Sequence, residues 1–119
     1  MTLPEEGYLL RIFIGESDKY AGKPLYEWIV RQARQQGLAG ATVLRGIMGF
    51  GAGSREIHTF KIERLSEDLP IVVELVDTAA KLEQFLALIE DKITAGLVTL
   101  EKAHIRFYGI QETDEKAGD

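Results

Sequence analysis

Ile71–Val76 reads IVVELV, and Tyr8–Gly15 reads YLLRIFIG. Each stretch is apolar at nearly every position and carries a single charge, Glu74 in one and Arg11 in the other. A strand with one wet face would show a polar residue at every second position. A run without that alternation belongs to a strand covered on both faces, in the middle of a sheet. Working outward, Pro24 opens a helix at its first turn, where a missing N–H costs nothing. Leu25, Trp28, Ile29 and Ala33 recur at helical spacing, while Arg31, Arg34, Gln35 and Gln36 face away. Gly37 is a natural helix stop. A second helix follows IVVELV, capped by Asp77 or Thr78. Its apolar stripe is Leu82, Phe85, Leu86, Ile89 and Ile93, and Gly96 ends the linker after it.

Two further strands complete the pattern. Thr42–Met48 is the second, and Leu97–Tyr108 is the last. The second half of the last strand sets Ala103, Ile105 and Phe107 against Lys102, His104, Arg106 and Tyr108. Glu16–Lys23 reads as a loop, Ile57–Leu65 as a strand or hairpin arm, and Ser66–Pro70 as a turn. The order is β-α-β-β-α-β. Right-handed crossovers place the first and third of these core strands in the middle of the sheet, and those are the two apolar runs. The prediction is an α+β, ferredoxin-like sandwich: an antiparallel sheet with both helices on one face.

The other face is then a problem for a lone chain. If Ala103, Ile105 and Phe107 point to the helices, Lys102, His104 and Arg106 point away, and Arg11 and Glu74 share that outer side. Leu9, Phe13, Val72 and Val76 are too apolar for it to be simply solvated. The expectation is burial against further copies of the chain, a homo-oligomer.

Length and composition bound the rest. The 119 residues make one domain, 1–110, with a polar, acidic tail, 111–119, expected to fray. The net charge of −5 argues against a nucleic-acid coat, though a local basic cluster can still hold an anionic ligand. There is no cysteine, which excludes disulfides and thiolate metal sites. MTLPEEGYLL has no basic n-region, and no apolar run approaches the ~20 residues of a membrane span. A cytoplasmic protein is expected.

The stretch Gly37–His58, GLAGATVLRGIMGFGAGSREIH, holds six of the twelve glycines. Backbone that must approach something closely tends to use glycine. It is not a Walker A loop, for no Gly-Lys-Ser/Thr follows, and it opens no helix as a dinucleotide fingerprint would. Within it, GATVLRGIMGFG (residues 40–51) resembles the PII signalling proteins, which read G-x-T-V and then G-F-G. The matching positions are Gly40, Thr42, Val43, Gly49, Phe50 and Gly51. One extra residue separates the two halves, which a bulge would absorb. Together with Glu16, Asp18, Lys19, GKPLYEWIV and LSEDLPIVVELVD, the chain over residues 8–108 looks like the PII-like proteins of domain of unknown function 190.

That resemblance implies a PII-like trimer with an adenine nucleotide (AMP, ADP or ATP) in the clefts between subunits. It also implies a glycine-rich loop that regulates a partner protein, with a membrane transporter or channel as one candidate. Gly49, Phe50 and Gly51 carry over from the nucleotide-contacting turn. The PII loop that grips phosphates is glycine-rich, but here Lys92–Val98, KITAGLV, has a single glycine. A mono- or diphosphate is therefore as plausible as a triphosphate.

Beside the glycines stands a basic set. Arg45 and Gly46 lie near the loop, His58 beside it, Lys19 in the first loop, and Lys102 and Arg106 on the last strand. Phosphate neutralisation is one reading, since guanidinium makes forked bonds; intersubunit ion pairs with Glu74 or Glu101 are the other. Phe50 reads as a packing anchor or as a stacking platform. No serine sits in a His–Asp pattern and no carboxylate pair has an acid/base setting, so no catalysis is expected, nucleotide cleavage being the one reserve. No metal site and no required cofactor are expected. The alternative function is an accessory role in metal or ion tolerance, resembling the trimeric copper-tolerance proteins of the same fold.

Overall fold

A computed structural model describes residues 6–52, 58–59 and 68–110. The expected tail, 111–119, and most of Ile57–Leu65 lie outside the described residues. The elements in chain order are β1 (Glu6–Gly15), β2 (Lys19–Tyr20), β3 (Lys23–Pro24), α1 (Leu25–Gln35), β4 (Thr42–Arg45) and β5 (Met48–Gly49). Then come β6 (His58–Thr59), β7 (Pro70–Asp77), α2 (Ala79–Ile89), a single 3-10 turn at Glu90–Lys92, and β8 (Leu97–His104). The main sheet has the order β4-β7-β1-β8 and is antiparallel throughout. The two apolar runs are its central strands. The α+β ferredoxin-like arrangement holds, with two small hairpins added, β2–β3 and β5–β6.

One face of the sheet and both helices share one core. Leu10, Ile12 and Ile14 of β1 and Ile71, Val73 and Leu75 of β7 pack against Leu25, Ile29 and Ala33 of α1 and Leu82, Phe85 and Ile89 of α2. The alternation buried beneath the helices was hidden in the sequence because the opposite positions, Leu9, Phe13, Val72 and Val76, are apolar too.

Helix α1 ends as Gly37 predicts. The Gly37 N–H donates to Arg34 O (3.1 Å) and the Leu38 N–H to Ala33 O (3.0 Å), with Gly37 at φ 75°. These paired bonds satisfy the last carbonyls, and Leu38 folds back on the core. A Cβ at Gly37 would meet nothing within 4 Å, so only the left-handed backbone resists substitution. Gly37→Ala should cost about 1 kcal/mol, read as a shifted urea midpoint at unchanged slope.

Four expectations need correction. The last strand stops at His104, not Tyr108. Beyond it the chain turns so that the Tyr108 hydroxyl donates to Ala39 O at 2.7 Å. The facing of its residues is also reversed. The register sets Leu10 opposite Leu100 and Tyr8 opposite Lys102, so Lys102 lies on the helix side and Ala103 on the outer side. Long-range register fixes this, and alternation within one strand cannot reveal it. Finally, Pro70 is not part of a turn but begins β7, a strand position where no N–H is needed. Its carbonyl accepts the Gly46 N–H at 2.7 Å. There β4 ends, splitting the expected strand Thr42–Met48 in two.

The outer face carries Arg11 between two carboxylates, donating to Glu74 Oε2 (2.8 Å) and to Glu101 Oε1 (2.5 Å). The hydrogen bond to Glu74, ahead of that to Glu101, holds the Arg11 guanidinium above its ordinary pKa. Around this ion pair lie half-buried Leu9, Phe13, Val72 and Val76 and exposed Leu44 and Leu97. No described helix is long and apolar enough to cross a membrane.

Candidate functional site

The sheet has a cleft at each end. The first, of about 390 Å³, lies where β1 finishes and β7 and β8 begin. Its floor is Phe13–Gly15 with Asp68–Pro70. One wall is the glycine turn Gly49–Ala52, and the other is Ala95–Leu97. The second cleft, of about 590 Å³, lies at the opposite end. There β4 starts at Thr42, β7 finishes near Val76, and the segment after β8 brings in Arg106 and Tyr108.

Local chemistry explains the first cleft. Gly96 is at φ 157° with its Cα pressed on β1, so that a Cβ would lie 2.4 Å from Phe13 O. Gly46 is equally tight against the Pro70 ring, where a Cβ would lie 2.7 Å from Cγ. Gly51 differs: a Cβ there meets nothing within 4 Å. Its openness belongs to the cleft and not to packing. Phe50 is 73% exposed, so it is not packed into the core of the chain.

The turn after β1 is held by acids. The Gly15 N–H donates to Asp18 Oδ2 (3.0 Å), and the Ser17 N–H to Asp68 Oδ1 (2.7 Å). The Glu16 N–H donates to Leu69 O at 2.8 Å, and the Glu16 carboxylate is paired with Arg45. Asp68 sits so close to Gly15 that a Cβ there would lie 2.5 Å from its carboxylate.

The expected site residues therefore divide. Gly49, Phe50 and Gly51 line the first cleft. Arg106 lines the second. Gly46 is engaged with Pro70, and Arg45 with Glu16. Lys19 lies exposed in the β2–β3 hairpin, and Lys102 is exposed on β8 beside Tyr8. His58 pairs through its backbone with Gly49. One chain thus brings three of the nine together. Sequence reasoning missed Asp68 and Phe13 as cleft residues. Asp68 stands inside the LSEDLP motif that carries the family resemblance, and that membership was the available signal. Among the described residues no group of three or more His, Cys, Asp or Glu gathers around a possible metal position.

The model of the DUF190 family, described as "Uncharacterized ACR", matches residues 7–105. The chain belongs to the DUF190 family. A UPF0166 protein of Aquifex aeolicus is 42% identical over 97 residues, covering 82% of this chain and 90% of the relative. A UPF0166 protein of Methanocaldococcus jannaschii is 34% identical over 98 residues, covering 82% and 89%. Among solved structures, this DUF190 chain resembles CPII of Thiomonas intermedia bound to ADP and bicarbonate, at TM-score 0.60 and 16% identity, over 84% of this chain and 88% of CPII. CPII, a nitrogen regulatory PII-like protein, bound to ADP, AMP and bicarbonate gives TM-score 0.56 at 14% identity, again over 84% and 88%. The DUF190 chain therefore has the PII-like fold, and the two clefts are features of its own residues.

Proposed function

We propose that this protein is a cytoplasmic PII-like regulatory protein, a homotrimer that binds an adenine nucleotide between subunits without catalysis. Its glycine-rich loop would report the bound state to a partner protein. The observation that carries the reading is the first cleft, where Gly49, Phe50 and Gly51 face Gly96 across the end of β1. The likeness in fold to a protein described with ADP and AMP supports it. Two clefts at opposite ends of one sheet suit a head-to-tail contact that closes into a ring, in which one subunit's first cleft meets its neighbour's second. Arg106 would then reach the ligand from the neighbouring subunit, while Lys102, on the helix side, would not. The apolar outer face would be covered by the same contact. A ligand that prefers one loop state shifts the loop toward it, which is the switch.

The test is a thermal-shift series with AMP, ADP, ATP and divalent metals, alongside the molar mass in solution. A ligand at a hundred times its dissociation constant stabilises by about 2.7 kcal/mol. We expect a trimer whose melting point rises with an adenine nucleotide. Gly51→Val should keep the trimer and its melting point, since the new side chain meets open space, and should lose the nucleotide shift. A variant that binds as well as the parent would refute the cradle. A shift with metals alone would favour the ion-tolerance role instead.

A further inference from the structure

Resting on this nucleotide reading, we infer that the first cleft selects its ligand by charge and takes a nucleoside monophosphate in preference to a triphosphate. Among the described residues that line it, the charged side chains are two carboxylates, Asp18 and Asp68. Both are half-buried. Their named partners are backbone N–H groups, Gly15 for Asp18 at 3.0 Å and Ser17 for Asp68 at 2.7 Å. Backbone amides at a turn are groups that elsewhere cradle an anionic ligand. Here the protein's own carboxylates already occupy them. Arg45, at the end of β4, is held by Glu16.

Every phosphate added to a ligand in this cleft brings further negative charge toward the same two carboxylates. The glycine turn offers dipoles against that repulsion but no full charge. From the second cleft the described residues supply one guanidinium, Arg106, beside the imidazole of His104. A guanidinium forms a forked pair with one phosphate group. Glu74, also in the second cleft, is already paired with Arg11. Among the described residues, one guanidinium for one phosphate, facing two fixed anions, fits a base and ribose over Phe13 and Phe50 with a short, singly phosphorylated end.

The test is calorimetric titration of the assembled protein with AMP, ADP and ATP, first without divalent cations and then with excess magnesium. The parent should bind AMP at least about tenfold more tightly than magnesium-free ATP. Magnesium, which neutralises the polyphosphate, should narrow the ratio, and so should added salt. Asp18→Asn and Asp68→Asn remove charge yet keep an oxygen for the same N–H. Each should tighten ATP more than AMP, narrowing the AMP-to-ATP ratio about threefold or more. Magnesium-free ATP binding as tightly as AMP to the parent would overturn the inference. So would a preference untouched by both substitutions and by magnesium. If one variant fails to fold, the other and the magnesium series still decide. Failure of every adenine nucleotide to bind would instead remove the nucleotide reading itself, and the inference with it.

Discussion

Asp77→Ala should lower the unfolding free energy by about 3–5 kcal/mol, a large share of the 5–15 kcal/mol typical of a domain. Asp77 is fully buried, the one such charged side chain among the described residues. Its Oδ1 accepts the Thr78 N–H (2.7 Å) and its Oδ2 accepts the Ala39 N–H (2.9 Å). Alanine leaves both donors without an acceptor, at about 1–3 kcal/mol each, and removes an anion from the N-terminus of α2. The cap itself survives, because Thr78 Oγ1 accepts the Lys81 N–H. Asn is no rescue. It offers one oxygen to two donors, and its NH2 group must face the second. Urea unfolding of both variants checks this, and an Asp77→Ala midpoint within the error of the parent would refute it. The same residue supports the second cleft. Ala39, which Asp77 fixes, is also the residue whose carbonyl takes the Tyr108 hydroxyl. In a form of Asp77→Ala that still folds, nucleotide affinity should fall further than that of Gly37→Ala.

These particulars show what a sequence can carry. The central strands were legible because apolar residues on both faces erase alternation, and Leu10–Ile14 and Ile71–Leu75 need no partner to show it. Gly37 and Thr78 were legible because capping is a local matter, decided within a few residues of chain. Asp77 was legible only as a rival cap. Its contact with Ala39 spans 38 positions and depends on how α1 delivers the chain to β4. The facing of Lys102 and Ala103 failed for a related reason, since β8 takes its register from β1 across the whole domain. The clefts followed the same rule. The glycine turn announced itself by composition, but the floor and the facing wall of its cleft, Asp68 and Leu97, come from distant segments. The separation of Arg106 from Gly51 emerges only when the sheet is assembled with β8 on the far edge from β4.

Gly96→Ala is the second large effect, and it joins fold and site. An added Cβ at Gly96 would lie 2.4 Å from the Phe13 carbonyl oxygen and 3.3 Å from Ile14 Cγ2. Phe13 belongs to β1, which pairs on both edges, with Val72 of β7 on one side and Leu97 of β8 on the other. Its carbonyl cannot swing away without loosening the middle of the sheet, so Ala95–Leu97 must move instead. That costs on the order of 2–4 kcal/mol, from overpacking together with a backbone angle that side chains rarely adopt. It also carries one wall of the first cleft away from the glycine turn. Gly96→Ala should therefore lose stability and nucleotide binding together, whereas Gly51→Val loses binding alone. The contrast is measured by melting each variant with and without AMP. A Gly96→Ala protein that melts with the parent and still responds to AMP would mean that the approach of Gly96 to β1 is not what shapes the cleft.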